Sequence, residues 1–121
     1  MDITVEGPGA FAVDVVGVSQ YQDVLAAAAG RRDGRAVVVD ATLLLEDANP
    51  HDNQAVAVHI DGRRAGYLSR ANARLYRADL AAAGASQAVV RCKAKIVGGF
   101  ETARGERAHY GLKLDLPRLS A

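Results

Sequence analysis

Three groups of side chains in this 121-residue chain have the types and spacing to do chemistry. The first is the polar run Asn49-Pro50-His51-Asp52-Asn53-Gln54, with His59 and Asp61 a few residues on. Imidazole beside carboxylate calls for a metal check. Zinc wants three or four Cys, His or acidic ligands at fixed spacings. The single cysteine, Cys92, falls in a stretch that reads as a core strand, and His59 falls mid-strand, so no metal site is expected. The second group is Arg91, Lys93 and Lys95, at a period of two. Alternate residues of a strand share a face, so these three would form a basic row, with Cys92, Ala94 and Ile96 turned to the core. The third is Arg70, Arg74 and Arg77, at spacings of four and three that place them on one side of a helix. Each row reads either as a solvated face or as a track for phosphates, and two of them in one half of the chain favour a nucleic-acid surface. The candidate nucleophiles Ser19, Ser69 and Ser86 lack the G-x-S-x-G setting. A G-x-x-x-x-G-K phosphate loop is also missing. No catalytic residue and no cofactor is expected, and the chain does not read as an enzyme.

Charge sharpens the second and third groups. Residues 1–62 carry three basic and ten acidic side chains, a sum of −7, whereas residues 63–113 carry eleven basic and three acidic, a sum of +8. The net charge of +1 therefore conceals a basic half. Such a split points to a polyanion-binding face unless folding interleaves the two halves. Half of the residues are apolar, enough for one core in a single domain spanning 1–121. The longest apolar runs, 24–29 and 41–45, are far short of the roughly 20 residues of a membrane span. The acidic start does not read as a signal peptide, and the lone cysteine has no intrachain partner. A cytoplasmic protein is the expectation.

The elements that must position these groups are mostly strands. Residues 11–18 alternate and are rich in valine, which predicts a strand. Ser19 is placed to cap a helix over 21–29 that Gly30 ends. Residues 31–34 read as a turn, 35–45 as a long strand and 46–53 as a polar loop. Residues 55–60 and 63–68 form a hairpin about Asp61-Gly62. Ser69 caps a second helix over 70–83 that Gly84 stops. Strands over 88–97 and 108–116 follow, with a bend at Gly98-Gly99 and a turn at 103–105. Many short strands with two short helices predict a mostly β fold, a small barrel.

The loop and hairpin carry a resemblance. Asn49-Pro50-His51-Asp52, then Ala55-Val56-Ala57-Val58, then residues 62–68 ending Gly66-Tyr67-Leu68, resemble the HIRAN domain family, whose pattern is N-P-x-D-x-x-A-V-x-V followed by G-x-x-x-G-Y/H-L and a helix. Residues 15–21 and the closing Ile96-Val97-Gly98-Gly99-Phe100 also fit, so nearly the whole chain is covered. The resemblance implies a small antiparallel β-barrel related to OB folds. It implies binding of single-stranded DNA at a free 3′ end, in DNA repair or replication stress, with a helicase or nuclease as partner. Asp52 would meet the terminal hydroxyl, as the family's loop aspartate does, and His51 would stack on a base. Tyr67 and Arg70 would lie beside them, with Ser19, Gln20 and Tyr21 across the pocket. Asn49, Arg74 and Phe100 complete the expected nucleic-acid-binding set. The chain departs from the end-binding members at Ser19 and Gln20, where they carry an arginine and an aromatic, and at His51, where they carry Tyr. The alternative is a non-catalytic barrel that docks a partner DNA-processing enzyme.

Overall fold

The computed structural model describes residues 2–30, 35–99, 104–105 and 108–117. Among the described residues seven strands run in chain order as β1 (Asp2–Thr4), β2 (Val13–Val16), β3 (Val37–Leu45), β4 (Val56–Ile60), β5 (Arg63–Leu68), β6 (Val89–Val97) and β7 (Gly111–Asp115). Two α-helices, α1 (Gln22–Ala29) and α2 (Arg70–Ala82), follow β2 and β5.

Valine-rich alternation builds the strands, and pairing closes them. Antiparallel contacts run β6-β3-β4-β5-β2-β7 and return to β6, giving a closed six-stranded barrel, small and OB-like. The seventh strand, β1, joins β6 in parallel at residues 89–91, on the edge that β7 occupies at residues 93–97. The two lie end to end along one long strand. The interior is the alternate set of each strand, including Leu43, Val56, Val58, Ile60, Val90, Ile96 and Leu114, all essentially without solvent contact. Full burial of such a side chain contributes about 1.5–3 kcal/mol. Leu25 of α1 and Ala73, Tyr76 and Leu80 of α2 pack onto the same cluster.

The turns follow local chemistry. Asp61 and Gly62 both have positive φ, 52° and 76°, the type I′ geometry whose twist suits a two-residue hairpin. Gly30 ends α1 in the left-handed region. The Ser69 hydroxyl accepts the Asn72 N–H at 3.1 Å and caps α2.

Two expectations need correction, and one strand, β1, was not expected. The strand over 11–18 shrinks to Val13–Val16, because Phe11 (φ 47°) and Gly17 (φ 74°) leave the extended region on both sides. Ser19 caps nothing: it sits inside a 3-10 turn, Val18–Gln20, and Tyr21 precedes α1 without a side-chain cap. What fastens α1 is Gln22, whose amide nitrogen donates to the Val18 and Tyr110 carbonyls and whose amide oxygen accepts the Tyr110 N–H. β1 had no counterpart in the sequence reading, since three residues hold too little pattern. The expected turn at 31–34 lies outside the described residues, as do Ala103 and Phe100. No helix among the described residues is long and apolar enough to cross a membrane.

Candidate nucleic-acid interface

The polar loop between β3 and β4 is built by its own side chains. Asn49 Oδ1 accepts the backbone N–H groups of His51 (2.8 Å) and Asp52 (3.2 Å). Asp52 Oδ1 accepts the Gln54 N–H at 3.0 Å, and the Asp52 carbonyl accepts the Ala55 N–H at 3.1 Å. These are the local bonds by which Asn and Asp shape turns. Below the loop, the Glu46 carboxylate accepts from Asn49 Nδ2 (3.0 Å), from the Tyr67 hydroxyl (3.0 Å) and from the Arg64 guanidinium (2.8 Å).

An open cavity of about 370 Å³ lies between this loop, the 3-10 turn and the start of α2. Gln20, Tyr21, Asn49, His51, Asp52, Tyr67 and Arg70 line it, over a floor of Val16, Leu68 and Ala73. Seven of the ten residues expected at a binding site thus converge from three separate stretches of chain, 20–21, 49–52 and 67–70. Arg74 stands just outside, its guanidinium 3.8 Å from Asp52 Oδ1, while Arg70 Nε is 3.8 Å from Asp52 Oδ2. At those distances and with both arginines exposed, the pairs are weak electrostatic neighbours rather than hydrogen bonds. Asp52 Oδ1 is thus engaged by its own loop, and Oδ2 faces Arg70. Ser19 lies next to Gln20 but does not line the cavity, and Phe100 is outside the described residues.

A second cavity, about 670 Å³, shares Asn49, His51 and Tyr67 with the first and continues over Pro50, Glu46 and Arg64. Tyr67 is the ridge between them. Burial, and then its bond to Glu46, push its phenol up to about 12. The Arg64 guanidinium stands 5.5 Å from the ring centroid, within cation–π range. Its charge is further favoured first by a hydrogen bond with Tyr21. Sequence reading missed Glu46 and Arg64 as parts of the site. Their signal was faint: a carboxylate at the end of a long strand and one arginine of a doublet.

The two basic rows fare differently from each other. β6 does turn Arg91, Lys93 and Lys95 outward and Cys92, Ala94 and Ile96 inward. That row is not part of the cavity, and acids meet two of its members: Asp2 faces Arg91 and Asp40 binds Lys93, while Lys95 stands over the Phe11 ring. On α2, Arg70 and Arg74 face the loop carboxylate, but Arg77 turns inward to the loop backbone. These pairs, together with Arg63–Asp23, Arg77–Asp47 and Lys113–Asp14, each join an acid of residues 1–62 to a base of residues 63–113. The fold therefore interleaves the two charge halves rather than displaying one of them. A larger cavity of about 880 Å³ lies under the chain between β1 and β2, by Asp40, Asp61, Arg91 and Lys93. It has no aromatic ring in its lining, and its two cations are the ones just seen with acidic partners. Among the described residues no three His, Cys, Asp or Glu side chains converge as metal ligands.

Comparison with known proteins finds no matching family model, no similar curated protein and no similar solved structure.

Proposed function

We propose that this chain is a HIRAN-type module that binds single-stranded DNA and takes the 3′-hydroxyl end into the cavity beside Asp52. The observation that carries the reading is the convergence of one carboxylate, one arginine, an imidazole and two phenols on a single concave site of about 370 Å³, with a second arginine, Arg74, just outside it beside the carboxylate. Each group has a part. Tyr67, Tyr21 and His51 offer faces for bases, and stacking contributes about 1–3 kcal/mol per base. Arg70 and Arg74 meet backbone phosphates, which position a strand without reading its sequence. Asp52 Oδ2 accepts the terminal O–H, a charge-assisted bond of roughly 1.5–3 kcal/mol, and repels a terminal phosphate. The role is binding, in DNA repair or replication stress, with processing left to a partner helicase or nuclease. The interleaved charges favour a local site over a long polyanion track.

The test is a titration of oligonucleotides ending in 3′-OH or 3′-phosphate at several salt concentrations. The 3′-OH strand should bind about tenfold tighter or better, since 1.4 kcal/mol is one decade. Affinity should fall with salt as counterions are released. Asp52→Ala should abolish most of the preference. Arg70→Ala should weaken both strands equally and reduce the salt slope by about one. Equal affinity for the two ends overturns the end reading. No binding at low salt overturns the nucleic-acid reading and leaves the docking of a partner enzyme.

A further inference from the structure

We propose that Arg77 is the positioning residue of this site: it sets the preference between strand ends by clamping the loop behind Asp52, without touching the ligand. The proposal rests on the reading above. Of the three arginines on α2, Arg70 and Arg74 leave 78% and 55% of their side chains exposed, but Arg77 only 15%. Its Nε donates to the Gln54 carbonyl at 2.8 Å, Nη2 to the Ala55 carbonyl at 3.0 Å, and Nη1 to Asp47 Oδ1 at 2.9 Å. One planar fork thus holds two successive backbone carbonyls and a carboxylate.

The two carbonyls belong to the residues that Asp52 itself organises. The Asp52 carboxylate holds the Gln54 N–H, and the Asp52 carbonyl holds the Ala55 N–H. The turn 52–55 is therefore gripped on its amide side by Asp52 and on its carbonyl side by Arg77. If the turn rotates, the carboxylate that faces the cavity rotates with it. Arg77 lines neither the cavity at Asp52 nor its continuation over Arg64. A helix that offers two cations to a ligand thus spends its third on the loop, which ties the spacing of cations and carboxylate to one rigid element.

Arg77→Lys and Arg77→Ala test this, each measured below its own melting temperature. Lysine keeps the charge but offers a single ammonium in place of the fork, so it should not restore the clamp. In both variants hydrogen exchange should quicken at the Gln54 and Ala55 amides, while barrel amides such as those of Val58 and Ala94 stay protected. The ratio of affinities for 3′-OH and 3′-phosphate oligonucleotides should fall toward one, while the salt slope stays that of the parent. A salt slope reduced by about one, as for Arg70→Ala, would make Arg77 a phosphate contact and overturn the proposal. Unchanged exchange and an unchanged ratio would overturn it too, as would full recovery in Arg77→Lys. If the parent itself shows no preference between the ends, the ligand reading falls on its own. Exchange at Gln54 and Ala55 then still decides the clamp.

Discussion

Tyr76 places its phenolic oxygen in the core with no hydrogen-bond partner among the described residues. A buried unsatisfied hydroxyl costs about 1–3 kcal/mol, so Tyr76→Phe should leave stability unchanged or raise it within that range. Chemical denaturation of the variant checks this, and a loss above about 1 kcal/mol would show that the hydroxyl has a partner. Two other groups titrate late. Burial, then the bond to Glu46, raise Tyr67 from 10.0 to about 12. Burial, then Asp115, raise the Cys92 thiol from 9.0 to about 12. Both keep their proton longer in the folded chain than in the unfolded one. Their contribution to stability is thus complete below about pH 9 and is lost as pH climbs from there toward 12. Melting temperatures should fall across that window, and Tyr67→Phe should fall less steeply; a flat profile to pH 11 would contradict the burial of both groups. At this scale the loop residues were legible because Asn, Pro and Asp in series form turns by their own bonds. Tyr76 was legible as a core position but not as an unpaired one.

Elements turn on single positions. Ser69 is the side-chain cap of α2, and its bond to the Asn72 N–H fixes where the helix begins and so where Arg70 and Arg74 project. Ser69→Ala should cost about 1 kcal/mol, read from denaturant unfolding; no change would make the cap idle. Gly66, in the middle of β5, has a different role. A Cβ there would lie 2.5 Å from Val15 Cγ1 and 2.7 Å from the Val16 carbonyl oxygen. The glycine admits β2 to the barrel wall rather than a ligand. Gly66→Ala should therefore destabilise by roughly 1–3 kcal/mol, the usual cost of overpacking, and lower the thermal midpoint. A midpoint equal to the parent's would mean that β2 yields freely. The hairpin β4–β5 and helix α2 could be read from sequence to within two residues, since Asp-Gly, Ser and the apolar period each act locally. β1 and the true extent of β2 could not, because a three-residue strand exists only where another strand's edge receives it.

Across the whole molecule the unexpected anchor is Asp115. It ends β7, is only 7% exposed, and accepts the Gly9 N–H on both carboxylate oxygens (2.9 and 3.1 Å) and the Phe11 N–H at 3.4 Å. Gly7 approaches so closely that a Cβ would sit 2.5 Å from the Asp115 carbonyl oxygen. The chain between β1 and β2 is thereby tied across the barrel end, and β1 is carried to the part of β6 that β7 leaves uncovered. Asp115→Ala should release this segment, costing about 1.5–3 kcal/mol for lost bonds to a charged group. Hydrogen exchange at Gly9 and Phe11 should speed up while the β3–β6 ladder keeps its protection; slow exchange at Gly9 in the variant would refute the anchor. By itself the sequence determined the mostly β class, the outward basic row of β6, the Ser69 cap of α2, the Gly30 stop of α1 and the Asp61-Gly62 turn. Those follow from alternation and from side chains acting on neighbouring backbone, which are local effects. Only the tertiary structure decided that acids of the first half neutralise bases of the second, that Arg77 points at backbone while Arg70 and Arg74 point at Asp52, and that Glu46 joins loop to hairpin. Each of these joins residues 18 or more apart in the chain. Charge and hydrogen bonding act through space, so their partners are settled only when barrel closure brings distant strands together.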